Sequence, residues 1–311
     1  MNKDIGLKTI VAGSFWVFVG MLLGYILEYT NRAIIGRFFG PSDYGIVSLS
    51  LSLSLIFASF SLLGFQTGLA RLVAIYSEDK NELRGLITLG LKIVLLVSII
   101  FSLILFLSRS FIVQKFFKRN STISVISGFI WMIPLIAVGE YFYSCLRGLK
   151  LARLAVLSRE VLRRIIVLIV LIGIIIFKVE GVYSISFAYF FGFATYMFSS
   201  GLFLIKKYSF LGGQQYLGGF RLRELMFFSL PLLFSFILKR FSGQIGNIFI
   251  GFFKDTREIG FFSAALPLSQ VINFPLSAVL FMFLPVASNY WHKERYGDLR
   301  DIFKTVSKAL F

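Results

Sequence analysis

Residues 236–247 read Phe-Ile-Leu-Lys-Arg-Phe-Ser-Gly-Gln-Ile-Gly-Asn and lie within an apolar stretch that runs from Leu225 to Phe252. Such a stretch is long enough for a helix to cross a bilayer. Two adjacent cations, Lys239 and Arg240, interrupt it. On insertion scales a charge near the bilayer centre costs about 2.5–3.5 kcal/mol. The two cations must therefore either reach the membrane interface or face a polar interior in which they have a function.

The composition of the whole chain is that of a membrane protein. Of 311 residues, 57% are hydrophobic and 15% are charged, and the mean hydropathy is +0.84. Soluble domains carry about 25% charged residues, so the bilayer is the expected solvent. The net charge is +17, but its cations lie mainly in short segments between apolar runs. There they act as topology signals and contacts for anionic lipid, and nucleic acid is not an expected partner.

Eight apolar stretches are each close to or longer than the about 20 residues that a membrane-spanning helix needs. The alternating pattern of a membrane β-barrel is absent. The sequence therefore predicts an all-α integral membrane protein, a polytopic helical bundle, with a ninth helix beginning at Leu299–Phe311. The predicted spans are Ile10–Ile35, Tyr44–Phe65, Leu86–Leu107, Ile123–Leu146, Ala155–Phe177, Val182–Ile205, Leu225–Phe252 and Gly260–Val286.

The connecting segments that share a side with the N-terminus hold most of the cations. The positive-inside rule then predicts a cytoplasmic N-terminus and a multi-pass protein of the cytoplasmic membrane. Arg147–Arg164 is the most basic segment, and it is expected to lie near the membrane surface as an extension of two helices. Its expected role is to hold the topology and lipid headgroups. The alternative is that it draws in an anionic substrate headgroup.

An internal repeat appears when the chain is laid on itself with a shift of 215 residues. Ile35-Gly36 then falls on Ile250-Gly251, and Gly45 falls on Gly260. Six spans separate the equivalent segments, so both copies cross in the same direction, as in parallel repeats of some transporters. The predicted domains are a six-helix lobe at 1–206, a cytoplasmic linker at 207–223, and an incomplete second lobe at 224–311.

Four segments, in this order, resemble one family. Ile34-Ile35-Gly36-Arg37-Phe38-Phe39-Gly40-Pro41-Ser42-Asp43-Tyr44-Gly45 resembles the hairpin after the first helix of polysaccharide-biosynthesis membrane proteins. Leu69–Tyr76 resembles the end of their second helix, Leu146–Leu149 the cytoplasmic end of the fourth, and Leu284–Ser288 the end of the eighth. These proteins are the oligosaccharide flippases of the multidrug/oligosaccharidyl-lipid/polysaccharide exporter superfamily.

The resemblance implies twelve to fourteen helices in two lobes around a central cavity that opens alternately to each side. It also implies transfer of an isoprenoid-pyrophosphate-linked oligosaccharide from the inner to the outer leaflet. This sequence has eight predicted spans, fewer than the twelve to fourteen that the resemblance implies. We therefore expect a fragment, a truncated product, or a chain that needs a partner. Family members often carry an acidic residue near the position of Asn247, and the amide here departs from the pattern for cation coupling.

The seventh predicted span carries the main candidate site. Arg240, Gln244 and Asn247 are spaced i, i+4 and i+7, so they form one polar stripe on a helix face. Lys239 lies about 100° away around the helix. Arginine binds pyrophosphate oxygens in a bidentate manner, so these residues are predicted to line a substrate cavity. The alternative is a Lys-Arg pair that extends to the interface or marks the end of a shorter helix.

The first predicted span carries a second candidate. Glu28 and Arg32 are an i, i+4 pair that can neutralise each other. Arg32 precedes Asn247 by one repeat length of 215 residues, so both are expected at the seam between the lobes. The pair is predicted either to bind substrate or to be purely structural. Glu140 lies near a helix end and is expected to reach the interface.

The chain contains one histidine, His292, and one cysteine, Cys145. This excludes most metal sites and histidine-based catalysis, and Cys145 is expected to be a buried small hydrophobe. No catalytic residue, metal or cofactor is predicted. A membrane-embedded glycosyltransferase would need a catalytic acid or base with a sizeable polar loop, and the predicted loops are short.

The favoured function is therefore a non-enzymatic flippase for a lipid-linked oligosaccharide with an anionic headgroup. Its expected partners are that substrate and membrane lipids, with a coupling ion left open. One alternative is a cation-coupled exporter of drugs or small molecules from the same superfamily, which would need acidic groups in its cavity. The other is a truncated membrane protein that does not transport.

Overall fold

The computed structural model describes residues 3–77, 79–114, 123–208 and 219–267, and four single positions at 297, 300, 303 and 304. These residues contain helices and no strand, which confirms the predicted all-α class. The chain divides into two compact units, Val19–Ser263 and the joined termini Met1–Phe18 with Ala264–Phe311. The candidate site lies within Val19–Ser263. The predicted boundaries at 206 and 224 stay a prediction.

The described residues include eleven α-helices and, between the seventh and eighth of them, a π-helix. Four helical segments are long and apolar enough to cross a membrane: Phe15–Ser61, Lys80–Leu107, Ile123–Gly148 and Tyr183–Lys206. The α-helices are α1 (Lys3–Ser61), α2 (Phe65–Ile75), α3 (Lys80–Leu107), α4 (Arg109–Ile112), α5 (Ile123–Ile130), α6 (Met132–Gly148), α7 (Ala152–Val156), α8 (Arg163–Ile176), α9 (Tyr183–Tyr208), α10 (Gly219–Phe253) and α11 (256–267), and the π-helix is Leu157–Leu162.

The first two predicted spans join in α1 with a break at Gly40. Gly40 has φ 82° and ψ 168°, a left-handed conformation that glycine adopts without a steric penalty. Pro41 follows, and proline is favoured at the first position of a helix because it has no N–H to leave unpaired. Residues 3–39 and 41–61 therefore form two helical segments. The eighth predicted span is described only to residue 267, and most of the predicted ninth helix lies outside the described residues.

Helix α6 forms the centre of the first part of the bundle. It packs against α2, α3 and α9, and α9 also packs against α8. The buried hydroxyl of Tyr141 donates a hydrogen bond to the carbonyl of Ile87 at 2.8 Å, which links α6 to α3. Cys145 is fully buried on the same helix, as predicted.

Helices α1 and α11 meet through a symmetric contact between the two repeats. A Cβ atom added to Gly45 would overlap the carbonyl of Thr256, and one added to Gly260 would overlap the carbonyl of Pro41. Gly45 and Gly260 are 215 residues apart, and so are Pro41 and Thr256. Each repeat therefore offers the same surface to the other, as expected for segments related by a two-fold axis. We call these four residues the glycine contact.

The start of α3 offers a local test of the fold. The carboxylate of Asp79 accepts hydrogen bonds from the backbone N–H groups of Asn81 and Glu82, both at 3.0 Å. Such a cap satisfies N–H groups that have no partner within the helix. Replacing Asp79 with alanine is expected to cost about 0.5–2 kcal/mol of stability, measured as a lower Tm in detergent, while Asp79→Asn preserves most of it. Equal Tm values for both variants would contradict the cap.

Candidate functional site

The polar stripe of α10 packs against the second half of α1. Arg240 Nε donates a hydrogen bond to Ser59 Oγ at 3.1 Å, and Asn247 Nδ2 donates one to Ser52 Oγ at 2.9 Å. Ser52 Oγ also lies 2.8 Å from Gln244 Oε1. The three residues predicted to share a helix face therefore do share one. Lys239 is exposed on another side of the helix.

The partner surface on α1 comes from an alternation of serine and leucine at residues 48–55. On a helix, Ser48, Ser52 and Ser59 fall on nearly the same face. Their small side chains let α10 approach closely, and the hydroxyls of Ser52 and Ser59 replace water as hydrogen-bond partners for its amide and guanidinium groups. This serine face was not predicted, although the alternation is visible in the sequence.

Asn247 connects three helices. Its Oδ1 accepts a hydrogen bond from Ser263 Oγ of α11 at 3.0 Å. The carbonyl of Ser263 accepts bonds from the Tyr44 hydroxyl at 3.1 Å and from Arg32 Nη1 at 3.3 Å. Arg32 and Asn247, which the repeat makes equivalent, thus come together. We call Arg32, Tyr44, Ser52, Gln244, Asn247 and Ser263 the seam cluster.

A small cavity lies inside the seam cluster. Its volume is about 50 Å³, enough for a few water molecules and far below the several hundred Å³ of typical ligand pockets. In this conformation the site is therefore closed to a sugar phosphate. The lining residues are Arg32, Tyr44, Val47, Ser48, Leu51, Ser52, Leu55, Tyr189, Gln244, Asn247 and Ser263.

A chain of ion pairs begins at the seam cluster and runs into the first part of the bundle. Arg32 Nε lies 3.0 Å from one carboxylate oxygen of Glu28, and Arg164 Nε lies 3.0 Å from the other. Arg164 also pairs with Glu160 at 2.6 Å. Glu28 therefore joins α1 to α8 and is bound on both of its oxygens.

The chain of ion pairs continues to α6. Arg159 Nε lies 3.7 Å from Glu160 and 3.1 Å from Glu140 Oε1, while Gln66 Nε2 donates to Glu140 Oε2 at 3.2 Å. Glu140 is only 6% exposed, so the prediction that it reaches the membrane interface is wrong. We call Arg32, Glu28, Arg164, Glu160, Arg159 and Glu140 the ion-pair chain.

The π-helix and Gly24 determine where the central residues of the ion-pair chain lie. Arg159 and Glu160 lie in the π-helix Leu157–Leu162, a rare element that is frequent at functional sites. Gly24 of α1 leaves the space that the Arg164 guanidinium fills, since a Cβ there would overlap it. The second half of the basic segment therefore points into the bundle, and the prediction that it lies along the membrane surface is wrong for these residues.

Two further arginines adjoin the ion-pair chain. Arg163 Nε donates to the carbonyl of Arg159 at 3.1 Å, and its guanidinium lies over the Phe193 ring at 5.0 Å. Arg240 is close enough to Glu140, Arg159 and Arg163 to interact electrostatically. Neither Arg163 nor Arg240 forms an ion pair with a carboxylate of the described residues.

These positions can be compared with the predicted site. Arg32, Gln244 and Asn247 meet in the seam cluster, Glu28 is linked to it through Arg32, and Arg240 lies next to it on α10. The site's largest charged part was not predicted as part of the site: Arg164 and Arg159 pair with carboxylates of other helices, although the i, i+4 pair of Glu160 and Arg164 is visible in the sequence. The missed residues are Glu140, Arg159, Glu160, Arg163 and Arg164. The described residues contain no group of acidic, histidine or cysteine side chains placed to hold a metal ion.

Several solved transporters share this fold. The MATE multidrug transporter DinF-BH, solved in complex with R6G, is 15% identical, with a TM-score of 0.65, and the alignment covers 97% of this chain and 69% of that one. An inward-facing multidrug resistance MATE family transporter of the MOP superfamily is 16% identical, with a TM-score of 0.59 over 97% of this chain and 67% of that one. At these identities the likeness shows the fold alone.

A third similar structure is a MOP superfamily transporter from Pyrococcus furiosus, for which reverse polarity of the binding pocket suggests a different function. It is 15% identical, with a TM-score of 0.53 over 91% of this chain and 73% of that one. No curated protein sequence matches the chain.

The sequence itself matches a family of proteins. Residues 10–291 match the family described as polysaccharide biosynthesis protein, which confirms the resemblance seen in the four sequence segments. Its fold is shared with multi-pass membrane transporters, and its composition and long apolar helices are those of a multi-pass membrane protein. The chain belongs to the polysaccharide biosynthesis protein family, and its structural neighbours are transporters of the MATE/MOP superfamily.

Proposed function

We propose that the protein is a flippase for a lipid-linked oligosaccharide with a pyrophosphate headgroup. It would act in the cytoplasmic membrane with its N-terminus in the cytoplasm, in line with the distribution of cations along the chain. The family match supports a role in polysaccharide biosynthesis. The substrate itself is inferred from the charges of the site.

The observation that carries the proposal is the unbalanced charge around the ion-pair chain. The ion-pair chain contains three carboxylates, those of Glu28, Glu140 and Glu160. Each of them is paired with at least one arginine. The ion-pair chain also contains three arginines. With the neighbouring Arg163 and Arg240, five guanidiniums face three carboxylates, which is an excess of two positive charges. Charges that are largely removed from water favour partners of opposite sign. A pyrophosphate diester supplies two negative charges and oxygens that arginine binds in a bidentate manner.

Transport of a lipid headgroup would require the small cavity to open. With about 50 Å³ of space the seam cluster cannot admit a sugar, so α10 must move away from α1 to admit the headgroup. The hydrogen bonds between Ser52, Gln244 and Asn247 would break in this step. The headgroup would cross between the lobes while the isoprenoid remains in the bilayer.

Flipping in liposomes tests the proposal. The protein is reconstituted with a fluorescent isoprenoid pyrophosphate that carries a short oligosaccharide, and an impermeant quencher measures transfer between leaflets. We expect the wild type to accelerate transfer and Arg240→Ala to slow it at least about tenfold, the loss expected for one charge-assisted interaction of about 1.5–3 kcal/mol. Lys239→Ala, at the exposed neighbouring cation, is the matched control and is expected to retain most of the rate.

Two results would argue against the flippase. Transfer no faster than in empty liposomes would exclude the activity, and equal loss in Lys239→Ala and Arg240→Ala would exclude the proposed site. Efflux of a cationic dye driven by a proton or sodium gradient, without lipid transfer, would instead support the exporter. The pairing of Glu28, Glu140 and Glu160 with arginines argues against that alternative, because none of the three is left to attract a cation.

A further inference from the structure

We propose that the seam cluster is the subsite for the sugar that is attached directly to the pyrophosphate. This inference rests on the proposed function and divides its site in two. Arg163 and Arg240 would bind the pyrophosphate, and the seam cluster would recognise the sugar. The seam cluster would then determine which oligosaccharides the protein accepts.

The chemistry of the cavity suits a neutral sugar. Hydroxyls of Ser48 and Ser52 and the amides of Gln244 and Asn247 line it, and these groups both donate and accept hydrogen bonds, as sugar hydroxyls require. The rings of Tyr44 and Tyr189 add apolar surface for the C–H face of a pyranose. The one charged lining residue, Arg32, is already paired with Glu28 at 3.0 Å, so the cavity offers little to a second anion.

Hydrogen bonding within the closed cavity favours exchange with a sugar. Ser52, Gln244, Asn247 and Ser263 now satisfy one another across α1, α10 and α11. When α10 moves away, each of these groups loses a partner at the same time. A group left without a partner costs about 1–3 kcal/mol. A sugar that supplies matching hydroxyls restores these bonds, whereas one with a missing or inverted hydroxyl leaves a group unpaired.

The spacing on α10 connects the two parts of the site. Arg240, Gln244 and Asn247 lie on one helix face, and four and seven residues correspond to about 6 and 10 Å along the helix. A pyrophosphate bound at Arg240 would therefore place the sugar linked to it beside Gln244 and Asn247. The competing explanation is that these polar groups only hold the helices together when the site is empty.

Binding to two matched probes tests the inference. The purified protein in lipid nanodiscs is titrated with a short isoprenyl pyrophosphate and with the same lipid carrying one hexose, taken from a panel of hexoses that differ in single hydroxyls. We expect the wild type to bind at least one glycosylated probe about tenfold or more tightly than the sugar-free lipid. Asn247→Leu and Gln244→Leu are expected to reduce that ratio to about one.

Three further variants complete the experiment. Ser52→Ala removes a seam hydroxyl without adding volume, so it provides the same test if either leucine variant fails to fold. Ser242→Ala, at an exposed serine of α10, is the matched control and keeps the wild-type ratio. Arg240→Ala is expected to weaken binding of both probes and to leave their ratio unchanged.

The outcomes separate the inference from the function on which it rests. If the wild type binds both probes equally with every hexose, or if the Ser52, Gln244 and Asn247 variants all keep its preference, the sugar subsite is wrong while the pyrophosphate site stands. If neither probe binds, both proposals fail.

Discussion

Replacing Glu140 with alanine is expected to lower the free energy of unfolding by about 3–5 kcal/mol. Glu140 is buried and accepts from both Arg159, at 3.1 Å, and Gln66, at 3.2 Å. Its removal leaves the Arg159 guanidinium, which also faces Arg163 and Arg240, with only the more distant Glu160 at 3.7 Å. Thermal unfolding in detergent measures the loss as a decrease in Tm of several degrees or more.

A double variant separates the ion pair from simple packing. Glu140→Met with Arg159→Met removes both charges and keeps apolar volume, so it is expected to recover most of the stability that Glu140→Ala loses. Glu140→Met alone should stay low, because it still leaves Arg159 without its nearest carboxylate. If the single and double methionine variants unfold at the same temperature, the ion pair does not account for the loss.

Replacing Gly45 with alanine is expected to hold the glycine contact open. The added Cβ would overlap the carbonyl of Thr256, which is backbone and cannot rotate away as a side chain can. Helices α1 and α11 must then separate at this point, and we expect transfer of the lipid probe to fall at least about tenfold because the two repeats can no longer approach each other closely. Gly260→Ala is expected to have the same effect, since the contact is symmetric.

Cysteine labelling measures this opening independently of transport. Ser263 is 1% exposed beneath the contact, and the natural Cys145 is fully buried, so a cysteine placed at 263 gives a specific signal. We expect a water-soluble maleimide to label Ser263→Cys several times faster when Gly45→Ala is present. Gly36→Ala is the matched control, because a Cβ there meets nothing within 4 Å. If Ser263→Cys is labelled equally slowly with and without Gly45→Ala, the glycine contact does not control access of water to position 263.

Periodicity predicted those parts of the site that lie on one helix. The i, i+4, i+7 spacing placed Arg240, Gln244 and Asn247 on one face, and the repeat brought Arg32 to the same seam. Both rules depend only on helix geometry, which the sequence determines locally. The apolar stretches likewise predicted most of the long helices, although α1, α3 and α10 begin six or seven residues earlier than predicted.

Pairing between helices could not be read in this way. Glu140 and Arg159 form an ion pair because α6 and the π-helix are neighbours in space. The sequence of neither segment predicts this packing. The π-helix also shifts the register of Arg159 and Glu160, so an ordinary helical wheel places them incorrectly. From hydropathy alone, each of these charged residues is predicted to lie at the membrane surface. A partner of opposite charge within the bundle lowers the free-energy cost of burying it.

The ion-pair chain and the contacts of α10 differ in strength, and this difference has a mechanical consequence. All carboxylate pairs of the described bundle interior join α1, α6, the π-helix and α8, and none reaches α10. Helix α10 is held to α1 by serine, amide and guanidinium hydrogen bonds, each worth about 0.5–3 kcal/mol, and by apolar contacts such as that of Leu49 with Gly251. Helices α1, α6, α8 and the π-helix should therefore move as one stiff body, whereas α10, which also packs against α2, is joined to them without an ion pair.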